Sequence, residues 1–234
     1  VGFENQMKKI NGGSYSYTVE SGYGKNKKVE TVTEHVDSFF MQSTEMTNEI
    51  FETLMEKDPE KYEKRKHPVV CSYVDAINFC NKLSEYYGRK PYYILGEKID
   101  DRISSVTVDS SSNGFRLPTS TQWTFAASEG KMRNGFKYSG SNEIDEVAWY
   151  QENSRIRSGY DYKYETHEVG KKKPNAFGLY DMSGNEDEMV ESSLDSVKTY
   201  GGSCSSSAYG CSVFEFHSDS YQLKGGFRVI CPSW

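Results

Sequence analysis

Two glycine pairs bracket the stretch that most limits how this chain folds: Gly201-Gly202-Ser203 on one side and Gly225-Gly226-Phe227-Arg228-Val229-Ile230 on the other. Residues 203–221 hold seven serines and four aromatic residues (Tyr209, Phe214, Phe216, Tyr221), with no lysine or arginine. Tyrosine supplies stiff amphipathic contact area and serine supplies small, adaptable hydrogen-bonding groups, a composition suited to recognition. The aromatic positions do not follow a period of two, so a single core face does not take all of them. Phe227, Val229 and Cys231 do alternate, which predicts a half-buried closing strand. The expectation is an irregular display segment, about 201–234, clamped by that strand. A Ser-rich loop whose aromatics are ordinary core residues is the plainer alternative.

Composition narrows the class. The 234 residues suffice for a sizeable core. Hydrophobic content is only 35%, but 14% aromatics, including 18 tyrosines, exclude a disordered polymer. Twenty glycines among short apolar runs point to a loop-rich fold. The net charge is −6, and the short basic clusters at 25–28, 61–66 and 171–173 form no extended stripe. Nucleic-acid binding needs clustered positive charge, so it is not expected. Five cysteines (Cys71, Cys80, Cys204, Cys211, Cys231) without a CxxC pair imply neither a zinc cage nor a disulfide framework. Buried free thiols are expected at Cys80 and Cys231. No apolar run reaches the length of a membrane span. Val1 in place of a methionine leaves room for a removed N-terminal address or anchor.

Local signals predict a turn and strand over 7–17, then a strand over 29–41. Thr47 is a helix N-cap ahead of the stripe Ile50, Phe51 and Leu54. A second helix starts at Ser72, with Asp75 completing a capping box and Ala76, Ile77, Cys80 and Leu83 on one face. A short hairpin is expected around 92–95. Thr119 and Gln122 form the capping box of a third helix carrying Trp123, Ala126 and Ala127. Beyond residue 129 the pattern is loops and short strands. This order suggests α+β with an antiparallel sheet.

Four separated histidines (His35, His67, His167, His217) carry structural expectations, apart from His217 in the display segment. The run from Asp181 to Glu188 places four acids in eight residues. Asp181 and Glu188, with Gly184 letting the chain curl between them, suit a hard cation such as Ca²⁺. A solvated acidic turn is the commoner fate of such runs.

A family resemblance rests on ordered motifs over nearly the whole chain. These are Ile10-Asn11-Gly12-Gly13-Ser14, Glu45-Met46-Thr47-Asn48, Pro68-Val69-Val70, and Arg116-Leu117-Pro118-Thr119 with Gln122-Trp123. They continue with Pro174-Asn175-Ala176-Phe177-Gly178-Leu179-Tyr180-Asp181-Met182, Ser183-Gly184-Asn185, Gly201-Gly202-Ser203 and Gly226-Phe227-Arg228. The chain resembles the formylglycine-generating-enzyme (sulfatase-modifying factor) type of C-type lectin fold. That resemblance implies one domain over 1–234, with few regular elements and much irregular loop.

The family's enzymes use two cysteines, three and eight residues past the serine of Gly-Gly-Ser; here those positions are Ser206 and Cys211. A copper site with two thiolates needs both soft ligands, so no catalytic residue is expected. Within the family the chain is similar to variable proteins of diversity-generating retroelements, whose segment between Gly-Gly-Ser and Gly-Phe-Arg is diversified at template adenines. That similarity implies a non-enzymatic binding protein, with a formylglycine-generating oxidase or a structural lectin-like module as alternatives. The implied ligand-binding residues are Cys204, Ser205, Ser206, Ser207, Tyr209, Phe214, Phe216, His217, Ser218, Asp219, Ser220 and Tyr221. The implied partner is a protein or other macromolecule, and the implied state is a monomer at the cell surface, with a lipid anchor. The family's calcium ligands transfer as the Asp181 and Glu188 side chains with the Gly184 and Glu186 carbonyls, a structural site.

Overall fold

Side-chain hydroxyls open each of the longer helices, as the local sequence requires. The computed structural model describes residues 2–21, 28–56, 64–99, 102–131, 135–159, 161–193, 196–219 and 224–233. A 3-10 turn (Phe3–Gln6) precedes β1 (Met7–Ile10), β2 (Gly13–Ser21), β3 (Lys28–Val36) and β4 (Phe39–Gln42). The single strand expected over 29–41 is therefore two. β2 pairs with β3, whereas β4 pairs with β1, so the chain changes sheets between them. The amide of Gly12 donates to Ser38 Oγ (2.9 Å) at that break.

Thr47 caps α1 (Asn48–Leu54), its hydroxyl accepting from the Ile50 amide at 3.4 Å. After β5 (Cys71–Ser72), Ser72 caps α2 (Tyr73–Tyr86). Here the expected capping box is altered. Ser72 Oγ accepts from the Asp75 amide (3.1 Å) and donates to Asp75 Oδ2 (2.7 Å). Aspartate is one methylene shorter than the usual glutamate, so its carboxylate takes the serine hydroxyl and not the backbone amide of the cap. β6 (Tyr93–Leu95) pairs with β9 (Val106–Val108), enclosing the small hairpin of β7 (Lys98–Ile99) and β8 (Arg102–Ile103). α3 (Ser120–Ala127) has the complete Thr119/Gln122 capping box.

α4 (Ile144–Val147) leads to a hairpin of β10 (Arg155–Ser158) and β11 (Asp161–Tyr164). β12 (Glu188–Met189), β13 (Val197–Tyr200) and β14 (Phe216–Asp219) form one antiparallel sheet. β15 (Lys224–Gly225) pairs with β5. β16 (Ile230–Cys231) pairs with β4 on the edge opposite β1, so strands from the two ends of the chain flank β4. The named pairings are antiparallel, as expected for this α+β order.

The segment expected to be a half-buried strand is buried on both faces. Phe227, Arg228, Val229, Ile230 and Cys231 are each 0% exposed. Phe227, Val229 and Cys231 pack with α2 and Phe51 in one core cluster. Ile230 packs in a second cluster around Trp123 and Met41. The chain therefore runs between two cores, and its alternation separates one core from the other instead of core from water.

Candidate functional site

The sequence points to a surface built by residues 204–221 and to the acidic run over 181–188. Gly202 makes the first turn possible. Its φ is +69°, and a Cβ there would lie 2.6 Å from the Gly210 carbonyl oxygen, so only glycine fits. The backbone that follows is fixed by the rest of the fold. Cys204 N donates to the Asn185 carbonyl (2.8 Å), the Ser206 carbonyl accepts from Gln151 N (3.0 Å), and Val213 N donates to the Lys137 carbonyl (3.1 Å). Cys211 is buried in a third cluster with Tyr138, Val147 and Tyr150, and Val213 belongs to the second.

Between these anchors the side chains divide. Ser205 and Ser207 are exposed and Ser206 is half-buried. Tyr209 is 66% exposed and Phe216 is 51% exposed. A hydrogen bond with Glu215 raises the Tyr209 phenol above its usual range and ties the tyrosine to the residue beside Phe216. Phe216 stacks on Tyr200 (5.7 Å between centroids) with the Lys198 ammonium over its ring. His217 is exposed, with Nδ1 3.5 Å from Asp187 Oδ1. Cys204, expected on the surface, is buried beneath it. Phe214 is half-buried against the second core cluster. The backbones of Ser218 and Asp219 continue β14 opposite Lys198 and Val197. Ser220 and Tyr221 lie outside the described residues.

Sequence reasoning missed a neighbour. Gln151 holds the Ser206 carbonyl and also donates through Nε2 to Tyr164 Oη (3.2 Å), bringing the β10–β11 hairpin beside the segment. Tyr162 of that hairpin is 57% exposed, with the Arg155 guanidinium 4.3 Å from its ring centre. The alternation of Arg155-Ile156-Arg157 was the signal for it.

The polar centre is more elaborate than an acidic turn. Arg228 Nε donates to Glu188 Oε2 (2.7 Å) and Nη2 to Glu188 Oε1, while Trp123 Nε1 donates to Glu188 Oε2 (2.7 Å). Arg228 also donates to the carbonyls of Gln42 (3.2 Å) and Tyr180 (2.9 Å). Glu45, which sequence reasoning did not single out, accepts from Asn185 Nδ2 (2.7 Å) and Glu186 N (2.9 Å). Burial, then Asp181 and Glu188, push the Glu45 carboxyl well above the usual range, against the opposing Arg228 charge. Burial raises Asp181 to about 6. Burial and then Asp187 raise Glu186 to about 8.

Two observations bear on a cation here. Asp181 Oδ2 accepts from Gly170 N (2.6 Å), but Oδ1 is buried without a hydrogen-bond partner. Glu45, Asp181 and Glu188 also set three buried carboxyl groups against the single guanidinium of Arg228. An orphaned carboxylate oxygen in an electron-rich setting fits a hard cation. Gly184 suits the curl: its φ is +75°, and a Cβ would fall 2.2 Å from the Trp149 carbonyl oxygen. Among the described residues there is no group of three or more His, Cys, Asp or Glu side chains disposed to hold a metal, so backbone carbonyls must complete any such site.

At the two positions where the enzymes carry cysteines, Ser206 Oγ accepts from the Ser203 amide (3.0 Å) and Cys211 is fully buried. All five cysteines are free and buried. Burial pushes the Cys204 and Cys211 thiols up to about 12, so neither is a thiolate at neutral pH. Among the described residues no helix is long and apolar enough to cross a membrane.

Comparison with known proteins agrees with this geometry. A model of the sulfatase-modifying factor enzyme 1-like domain matches residues 3–232. Chaperone protein LppX of Paenibacillus barcinonensis is 33% identical over 188 residues, 71% of this chain and 67% of that protein. Treponema denticola variable protein 1 is similar in structure, with a TM-score of 0.72 at 27% identity over 96% of this chain and 94% of that one. CarF gives 0.74 at 24% identity, covering 97% of each chain. PvdO from Pseudomonas aeruginosa gives 0.64 at 18% identity, over 97% of this chain and 94% of that one. The fold is the formylglycine-generating-enzyme type of C-type lectin fold.

Proposed function

The chain belongs to the sulfatase-modifying factor enzyme 1-like domain family, and from that premise we propose that it is a non-enzymatic binding protein. In this reading it displays the surface around Tyr209 and Phe216 to a macromolecular partner, as a diversified variable protein. One observation carries the proposal. Residues 203–213 are held by backbone bonds to Asn185, Gln151 and Lys137, while Tyr209 and Phe216 point outward. Such a scaffold tolerates replacement of the displayed side chains, which diversification demands. The likeness to Treponema denticola variable protein 1 supports the same reading. Attachment at the cell surface through a lipid anchor, and a monomeric state, belong to this proposal.

The Tyr209→Ser, Phe216→Ser double variant is expected to change stability by no more than about 0.5 kcal/mol per site, as for ordinary surface positions. Urea denaturation of the variant and the parent checks this. A loss of several kcal/mol would make these aromatics structural and end the display reading. Sequencing the gene's neighbourhood supplies the second arm: a reverse transcriptase and a template repeat of the 201–234 coding region are expected. Turnover of a sulfatase-type cysteine peptide in the presence of copper would instead support the oxidase.

Calcium is part of the same reading. The Asp181 carboxylate, through its unpartnered Oδ1, and the carbonyls of Gly184 and Glu186 would hold it, with the Glu188 carboxylate sharing an oxygen that already accepts from Arg228. Ca²⁺ at roughly a hundredfold excess over its Kd adds about 2.7 kcal/mol to stability. For a domain of this size that corresponds to a rise of about 5–10 °C in melting temperature. Calorimetry with Ca²⁺ and with chelator measures it, and coincident melts would remove calcium from the proposal.

A further inference from the structure

A groove of about 690 Å³ lies where α1 and the segment after β4 face the loop around Val169, and it shares no lining residue with 201–233. Its volume is that of a small-molecule site. The walls are fastened by backbone bonds: Asn48 N donates to the His67 carbonyl (3.0 Å), Glu49 N to the Arg65 carbonyl (2.9 Å), and Val169 N to the Lys66 carbonyl (3.0 Å). Such a groove is pre-formed, so little ordering opposes a ligand.

The donors and acceptors left facing the groove define what fits. Thr44 and Thr53 spend their hydroxyl protons on the carbonyls of Glu45 (3.1 Å) and Glu49 (2.7 Å), leaving lone pairs as acceptors. Thr47 accepts from Ile50 N and keeps its proton to donate. Gln6 accepts from Gln42 through Oε1, which leaves its amide NH₂ to donate. Acceptors and donors are thus interleaved, the pattern that hydroxyl groups satisfy, since each both donates and accepts. Among the described lining residues there is no aromatic ring, so nothing offers a stacking face for a base or planar cofactor.

Charge supplies the second requirement. Glu49 is paired with Arg65 (2.6 Å) and Glu168 with Lys171 (3.0 Å). Lys66 also lines the groove and forms no ion pair among the described residues. With Glu49 held by Arg65 from outside the lining, Lys171 and Lys66 face the single acid Glu168, and both lysines lower its carboxyl.

We propose that this groove binds a sugar acid, a polyhydroxylated ligand with one carboxylate, its hydroxyls on Gln6, Thr44, Thr47 and Thr53 and its carboxylate on Lys66. The site is independent of the display surface. Amide-resolved NMR titration with glucuronate, glucose and cyclohexanecarboxylate tests it, with a glucuronate-terminated oligosaccharide as a further arm. Glucuronate is expected to give saturable shifts confined to Gln6, 43–53, 64–66 and 168–171, and the other two small molecules weaker ones. Lys66→Ala, at an exposed position, is expected to weaken binding about fivefold. The Tyr209→Ser, Phe216→Ser variant is expected to bind as the parent does. Shifts with free glucuronate assign a soluble acid, and shifts with the oligosaccharide alone assign a glycan end; both uphold the site. Absence of saturable shifts with either, equal binding of glucose or of cyclohexanecarboxylate, or indifference to Lys66→Ala would overturn it.

Discussion

Replacing Arg228 with alanine is expected to destabilise the fold by about 3–5 kcal/mol, the range for breaking a buried ion pair from one side. For a domain of this size the melting temperature should fall by roughly 10 °C. The guanidinium is 0% exposed and serves Glu188 with two nitrogens, besides the Gln42 and Tyr180 carbonyls. Its loss leaves three buried carboxyl groups, Glu45, Asp181 and Glu188, without their cation.

The effect should depend on pH, and its sign follows from two of those acids. Glu45 and Asp181 are both raised in the folded state, Asp181 to about 6, and Arg228 opposes the rise in each. An acid raised on folding contributes stability below its unfolded pKa and loses it as pH rises through the folded value. Without Arg228 both rise further, so the deficit should widen as pH rises through about 6, the folded value of Asp181. Denaturant titrations without added Ca²⁺ measure it. A variant within about 2 °C of the parent, or a deficit that shrinks as pH rises, would refute this account of the polar centre.

Phe227→Ala is expected to cost about 3–5 kcal/mol, the usual range for emptying a buried aromatic site. Phe227 sits edge-to-face against Phe51 (6.1 Å, 76°) and Phe79 (5.5 Å, 68°), joining α1, α2 and the segment before β16. Its carbonyl also accepts from Met46 N (2.7 Å), so the cavity would open where three parts of the chain meet. Phe216→Ala, only a short way upstream, is expected to stay within about 0.5 kcal/mol. Paired urea denaturation curves check the contrast. Similar losses for the two phenylalanines would mean that Phe216 is also core, and a tolerant Phe227 would contradict the packing described for the first cluster.

The contrast between these two phenylalanines bears on how far the sequence could be read. Helix starts were legible because a cap is a bond between neighbours: Thr47, Ser72 and Thr119 each bond an amide three residues on. The ordered motifs carried the fold type for a related reason, since glycines at Gly184 and Gly202 answer steric demands peculiar to this backbone. Within 204–221, the family resemblance put Cys204, Tyr209, Phe214 and Phe216 together among the ligand-binding residues. Packing then put Cys204 beneath it, pressed Phe214 against the second core cluster and left Tyr209 and Phe216 outside.

The sequence by itself therefore determined the helix caps, the glycine turns and the family's loop-rich α+β fold, because these rest on contacts within a few residues or on the allowed backbone angles of single residues. Only the tertiary structure decided what Arg228 means. In the sequence it is a charge in an alternating strand, and its place would be toward water. In the fold its partner Glu188 lies 40 residues away, and Trp123 holds that partner from 65 residues away. The same holds for Glu45, whose bonds to Asn185 and Glu186 span 140 and 141 residues. Whether a charge is solvated or buried depends on the groups that replace its water, and those groups meet it only when distant parts of the chain have packed.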